Sequence, residues 1–247
     1  MDWWMHHIVG RQSFGGKQMA SRIIQGRALK EARRRKVLAR KRRQDRGTAK
    51  TEMVDQGRRW SKGALHSCLV LKGLFEHGSG MVVLTRKVGI AEVAAAIFLV
   101  DVYCRGVKDA SLQRVGRHEL DDVLDGIGSF MPWEEVDPSY GRKLLREAVA
   151  YAGWLGFRPH PDFAAAEALF GDVVADDCDA AFRFGREGKP CYVSSASESP
   201  HKIRKALRRL SDRLGPDGFT YVVPASDLDE LCDQQWPNEP IEGEIPF

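Results

Sequence analysis

The sequence predicts an α+β domain over residues 63–223, in which an antiparallel β-meander and a hairpin pack with helices on one face of the sheet. Three observations lead to this prediction. Three short apolar segments follow one another closely near the start of this region. Segments with apolar residues at helical spacing come after them. Both ends of the chain are rich in charge and poor in periodic apolar residues, which predicts flanking disordered tails.

The meander is predicted from strands at residues 66–72, 81–88 and 92–104. Glycines between the first two strands supply backbone freedom for a turn, and Gly89 opens a tight connection to the third. Because neighbouring strands with short links usually pair with each other, we expect an antiparallel arrangement. The third strand is apolar on both faces up to Asp101, which favours a central, covered position.

The later part of the domain is predicted to be mainly helical. Asp137 and Pro138 suit the start of one helix, and Gly156 suits its end. Ser199 and Gly215 bound the last helix in the same way. The predicted helices are residues 118–126, 139–155, 160–170 and 199–214. Residues 181–184 and 191–194 are predicted to pair as a hairpin around residues 186–190, and residues 219–223 form a last strand.

Charge is divided unevenly along the chain, whose formal net charge is +4. Residues 1–62 hold 18 of the 38 lysines and arginines but only 5 of the 34 acidic residues, which predicts a basic, largely disordered arm. Residues 224–247 hold seven acidic residues and no lysine or arginine, which predicts an acidic disordered tail. The arm is expected to meet a polyanion, to dock on this acidic tail, or to stay a solvated tail that keeps the protein soluble.

Cysteine usage and hydropathy predict a cytoplasmic protein. The five cysteines include no C-x-x-C pair, so neither a disulfide framework nor a zinc ribbon is expected. No apolar run approaches the length that crosses a bilayer, and the N-terminus lacks the pattern of a secretory signal. No motif predicts a metal site or a cofactor, and membrane association is not expected.

Four segments of the body carry a resemblance to a known family. They are LFEHGSGMVVLTR (74–86), FLVDVYCRGVKDA (98–110), YAGWLGFRPHPDF (151–163) and FRFGREGKPCYVS (182–194). In this order they resemble a family of uncharacterised bacterial proteins with no assigned activity. The resemblance implies one domain over residues 64–223, and it implies no catalytic role for any residue.

Two groups of cations are candidates for binding nucleic acid, although the group on the last predicted helix also fits an ordinary solvated helix face. The arm group is Arg33, Arg34, Arg35, Lys36, Arg40, Lys41, Arg42 and Arg43, and the group on the last predicted helix includes Lys202, Lys205, Arg208 and Arg209. Lysine and arginine neutralise phosphates and release condensed counterions, which gives affinity without reading sequence. No aromatic residues alternate with these cations, so base stacking is not expected.

Four polar residues are candidates for acid–base chemistry. Asp101 ends an apolar strand, where a carboxylate must be paired or solvated, and Lys108 is its candidate partner. His160 and Asp162 form a second candidate pair, in which the histidine acts as a general base. A structural reading exists for each, namely a salt bridge or loop cap at Asp101 and a helix start at His160.

The sequence therefore leaves three hypotheses for function, and whether the protein is an enzyme stays open. The first is non-specific association with RNA, DNA or ribosomes through the basic arm. The second is a hydrolase or nuclease whose site uses Asp101, Lys108, His160 and Asp162, which must then meet in one concave site. The third is a partner-binding module of a larger assembly, marked by an exposed apolar patch.

Overall fold

The structure is a computed structural model and describes residues 47–195 and 198–224. The predicted acidic tail and most of the predicted basic arm, including its eight candidate cations between residues 33 and 43, lie outside the described residues. The chain divides into the units Met1–Ala49 and Lys50–Phe247, and the second of them contains the fold.

The described residues form an α+β fold, as predicted. Residues 47–60 are helical and are called α1. The strands are β1 (Leu65–Leu71), β2 (Ser79–Lys87), β3 (Glu92–Asp101), β4 (Gly106–Gly116), β5 (Trp133–Glu135), β6 (Cys191–Val193) and β7 (Thr220–Val222). The other helices are α2 (Leu74–His77), α3 (Arg117–Gly128), α4 (Pro138–Trp154), α5 (Phe163–Glu167) and α6 (Pro200–Leu214). Short 3-10 turns occur at Ala168–Phe170, Ala175–Asp177 and Pro216–Gly218.

The main sheet has five strands in the order β4-β3-β2-β1-β5, and every neighbouring pair is antiparallel. The strands β1, β2 and β3 form the predicted meander. The sequence did not predict β4 or β5. The pairing of β4 with β3 shifts at Leu99 and Val100, which leaves Lys108 without an opposite residue. Because of this bulge, the buried residues Val107 and Ala110 are three apart, and the alternation typical of a strand is hidden.

Helices cover both faces of the main sheet, whereas the sequence predicted helices on one face only. The helices α4 and α5 pack on the face that presents Ala96 and Phe98 of β3. On the opposite face, Leu120 and Leu124 of α3 pack around Ala95. Since β3 is apolar on both faces, each face needs its own cover, and the short apolar stripe of α3 supplies the second.

A second core joins the end of α4 to α6. Ile203, Leu207 and Leu210 of α6 are fully buried and pack with Leu155 and Phe219. The strands β6 and β7 pair in parallel, and α6 is the crossover connection that a parallel pair requires. This core therefore fixes one face of α6 and leaves its other face outward.

Only the turn of the predicted hairpin is observed. Arg186 and Lys189 form an isolated antiparallel bridge, and both Glu187 and Gly188 have positive φ, as in a type I′ turn. Residues 181–184 form no strand, and β6 pairs with β7 instead. The rings of Phe182 and Phe184 pack on other aromatic side chains. The predicted pairing of 181–184 with 191–194 is therefore wrong.

The globular body starts earlier than residue 63, the boundary predicted from the sequence. Residues 50–60 of α1 belong to the unit Lys50–Phe247, and Val54 and Trp60 pack on the main core. Between them, Gly57 is buried, and a Cβ atom there would lie 2.5 Å from the carbonyl oxygen of Ala165. Three positions spaced by three residues share one helix face. Because the surrounding residues are charged, composition alone assigned this short stripe to the basic arm and not to the globular body.

Arg86 of β2 links three segments of the chain through hydrogen bonds. Its Nε donates to the carbonyl oxygen of Leu169 at 2.8 Å, and its Nη2 donates to that of Phe170 at 2.7 Å. Its Nη1 donates to the carbonyl oxygen of Gly63 at 2.9 Å. The guanidinium thus links the sheet to the chain segment after α1 and to the 3-10 turn, and it satisfies carbonyl groups beside the core.

Candidate functional site

The helix α6 divides into a buried face and a charged face. Pro200 occupies its first turn, and Gly215, with a φ of 76°, ends it. Its apolar residues recur at spacings of three and four, so they lie on one face, which the second core buries. The remaining positions carry the cations. Lys202, Lys205, Arg208 and Arg213 are exposed, while Arg204 and Arg209 are partly exposed.

A cleft of about 1000 Å³ lies along this charged face, and we call it the cationic cleft. The last turn of α4 and the residues after it form its other wall, with Trp154 and Gly156. Asp212 is the one acidic residue among its described lining residues. The cations that line it are Arg204, Lys205, Arg208, Arg209 and Arg213. Five cations beside one carboxylate give the cleft a positive potential.

Arg209 is held in place by the second core. Its guanidinium carbon lies 5.3 Å from the ring centroid of the buried Phe157, a distance suited to a cation–π contact. Gly156 has a φ of +88°, and a Cβ atom there would lie 3.2 Å from Cδ of Arg209. Glycine at this position thus permits the chain to turn after α4 and leaves room for the arginine stem.

The structure places three of the four predicted cations of α6 in one site. Lys205, Arg208 and Arg209 line the cationic cleft, whereas Lys202 is exposed on α6 outside its described lining. The sequence missed the contribution of Trp154, because it lies about fifty residues before the cations and shares no element with them. The expectation that no aromatic residue accompanies these cations holds for α6 itself but not for the cleft.

Several other cations of the body have carboxylate partners. Arg142 and Arg146 both donate to Oε1 of Glu167, at 2.9 Å in each case. Arg105 donates to Glu198 at 3.0 Å, and the side chain of Glu198 is only 7% exposed. These pairs neutralise their own charge locally.

The contacts of Asp101 indicate a structural role. It is buried, and its Oδ1 accepts hydrogen bonds from the backbone N–H groups of Tyr103 at 3.0 Å and Cys104 at 2.9 Å. This arrangement closes the turn between β3 and β4. Burial raises the pKa of Asp101 above its ordinary value, although the charge of Lys108 and the bond from the Cys104 N–H oppose the rise.

Replacing Asp101 separates the structural role from a catalytic one. Asp101→Ala removes the acceptor of both backbone bonds, and we expect a loss of about 2–4 kcal/mol in the free energy of unfolding. Asp101→Asn keeps an acceptor oxygen and is expected to stay within about 1 kcal/mol of the parent protein near pH 5. Urea unfolding, followed by fluorescence, measures both variants.

The pH dependence of the same variants gives a second readout. Because the folded-state pKa of Asp101 lies above its unfolded value, its contribution to stability is lost as the pH rises through the folded-state pKa. Asp101→Asn lacks this titration, so its stability relative to the parent protein should improve from pH 4 to pH 8. A relative stability that declines over this range would contradict the burial effect.

Among the four predicted catalytic residues, one ion pair is described, between His160 and Asp162. The charge of Lys108 acts on Asp101. Nδ1 of His160 lies 4.0 Å from Oδ2 of Asp162. Its Nε2 lies 3.5 Å from Oδ1 of Asp109, which is not one of the four predicted residues. The cationic cleft and a second cleft of about 450 Å³, which Glu134 and Asp137 help to line, are lined by other residues. The enzyme hypothesis therefore stays a prediction, because none of its four residues lines either of these two clefts.

The buried cysteines are poor nucleophiles. Burial, aided by the charges of Asp137 and Glu135, raises the pKa of the Cys68 thiol from 9.0 to about 12. Burial also raises the thiol pKa values of Cys104 and Cys191. The thiolate is the reactive form, so these groups are protonated near neutral pH. Among the described residues, no group of three or more His, Cys, Asp or Glu side chains is arranged to hold a metal ion.

Comparison with known proteins returned no family model, curated protein or solved structure that matches this chain. The resemblance to a bacterial family therefore stays a prediction, and the function is inferred from the geometry of the site. No helix in residues 47–195 and 198–224 has both the length and the apolar character needed to span a bilayer.

Proposed function

We propose that this protein binds nucleic acid without sequence specificity, with the cationic cleft and the basic arm contacting the phosphate backbone. The observation that carries the proposal is the cleft itself, where five cations and one carboxylate line a concave surface. Lysine and arginine side chains release counterions from phosphates, and this release supplies most of non-specific affinity. The arm adds eleven lysines and arginines between residues 27 and 46.

The proposed partners are RNA, DNA or the ribosome, and the proposed location is the cytoplasm. The polyphosphate backbone common to these partners fits a site that presents cations. The location is supported by the cysteines, since Cys68, Cys104, Cys178 and Cys191 all carry free thiols.

The salt dependence of binding tests this proposal. The full chain is titrated into a fluorescein-labelled oligonucleotide, and anisotropy gives the affinity between about 50 and 200 mM KCl. If six arm cations contact duplex phosphates, they contribute about −5 to the slope of log affinity against log salt. A variant with the eight arm cations Arg33, Arg34, Arg35, Lys36, Arg40, Lys41, Arg42 and Arg43 changed to glutamine should lose that part of the slope.

Substitution is preferable to truncation for this test. Removing residues 1–62 would also remove Val54, Gly57 and Trp60, which lie against the core, so a loss of binding would be confounded by a loss of stability. Absence of binding by the parent chain at about 50 mM KCl would reject the proposed function. An unchanged slope in the arm variant would reject the role of the arm alone.

A further inference from the structure

The position of Trp154 gives information about the ligand that the charge of the cationic cleft does not give. Trp154 is the last residue of α4, and 52% of it is exposed, although a tryptophan normally buries most of its surface. It lines the cationic cleft together with Lys205, Arg208 and Arg209. An exposed indole and a set of cations therefore face the same space.

The indole has a rigid support. Ala152, two residues before Trp154, and Leu155, directly after it, are buried in the second core. The ring of Tyr151 lies 6.0 Å from that of Trp154, and Tyr151 itself stacks on Phe184 at 5.2 Å. An aromatic side chain on a fixed helix end loses little freedom when a ligand packs on it.

A ligand that uses both features must carry a flat ring close to an anionic group. A nucleotide with an unpaired base meets this description, because its base offers a face for stacking while its phosphate meets the cations. In a duplex, the base faces are hidden by stacking within the helix. We infer that Trp154 is a stacking platform for an unpaired base, so that the cationic cleft binds single-stranded nucleic acid in preference to a duplex.

This inference rests on the proposed function, and its test compares three probes with the full chain. The probes are a single strand of about 12 nucleotides, the matching duplex, and an abasic strand with the same number of phosphates. Binding is measured by anisotropy at one salt concentration. The variants are Trp154→Ala, Trp154→Phe and, as a matched control, Phe130→Ala, which removes an aromatic side chain that is 89% exposed and lies outside the described lining of the cleft.

The stacking platform predicts a specific pattern across these probes. Trp154→Ala should weaken binding of the single strand about 5- to 150-fold, the range found when one base–aromatic stack is removed. Binding of the duplex and the abasic strand should change less than about twofold, because their contacts are phosphate contacts. Trp154→Phe should recover part of the affinity for the single strand, and Phe130→Ala should leave all three probes unaffected.

The outcomes separate failure of this inference from failure of the proposed function. If the parent chain binds all three probes but Trp154→Ala weakens none of them, stacking is rejected and phosphate binding stands. An equal loss on all three probes also rejects stacking, since it indicates a change in the cleft itself. If the parent chain binds none of the probes, the proposed function fails first.

Discussion

Neutralising the four predicted cations of α6 together is expected to lower the affinity for nucleic acid by about two to three orders of magnitude at 100 mM salt. The substitutions are Lys202→Gln, Lys205→Gln, Arg208→Gln and Arg209→Gln. Three of these residues line the cationic cleft and the fourth is exposed on the same helix. Four lost phosphate contacts would also reduce the salt slope by about 3 to 4, and anisotropy titrations measure both quantities.

The matched control changes net charge equally but elsewhere. Lys72, Lys87, Arg183 and Lys189 are exposed and lie outside the described lining of the cleft. Their change to glutamine takes the formal net charge from +4 to 0, as the α6 variant does. If binding depends on the cleft, the control should lose much less affinity. Equal losses in the two variants would show that net charge alone drives binding and would contradict a site on α6.

Stability of the α6 variant must be compared as well. Glutamine is nearly as good a helix former as lysine and arginine, so α6 itself should persist. Arg209 also lies on the ring of Phe157, a contact worth roughly 0.5–1 kcal/mol where it is partly solvated. A small fall in the midpoint of thermal unfolding is therefore expected, and it is too small to explain a large loss of binding.

The parts of the fold that were predicted correctly are those whose signals are local. The meander has three apolar segments with short links, and α4 has Asp137 as N-cap, whose side chain accepts from the N–H of Ser139. The strand β4 was missed because its bulge at Lys108 breaks the alternation. The strand β6 was assigned to the wrong partner, because its true partner, β7, follows it only after the whole of α6.

The candidate site was predicted in part for the same reason. The charged face of α6 follows from spacing within one helix, so Lys205, Arg208 and Arg209 were found. The opposite wall of the cleft comes from the end of α4, and only packing between the two helices brings Trp154 there. Asp101 was a candidate because it ends an apolar strand. The backbone N–H groups that donate hydrogen bonds to it belong to a turn whose geometry the sequence does not specify.

Replacing Arg86 is expected to have the largest effect on stability. Arg86→Met keeps most of the stem volume but removes the donors to the carbonyl groups of Gly63, Leu169 and Phe170. Leu169 and Phe170 are buried, so water cannot readily replace the hydrogen bonds that their carbonyl groups lose. A buried acceptor left without a partner costs about 1–3 kcal/mol. We therefore expect a loss of about 3–5 kcal/mol, which lowers the unfolding midpoint by roughly 10 °C.

Arg114→Met is the matched control for this prediction, because it makes the same change on β4, another strand of the main sheet. Arg114 pairs with Glu92, and both side chains are about half exposed (50% and 44%). An exposed ion pair contributes little to stability, so the control should unfold close to the parent protein. Arg86→Lys should fall between the two, since one ammonium group cannot match the fork of a guanidinium toward carbonyls on separate segments. If Arg86→Met and Arg114→Met unfold at the same urea concentration, the three carbonyl bonds do not hold the segment after α1 and the 3-10 turn against the sheet.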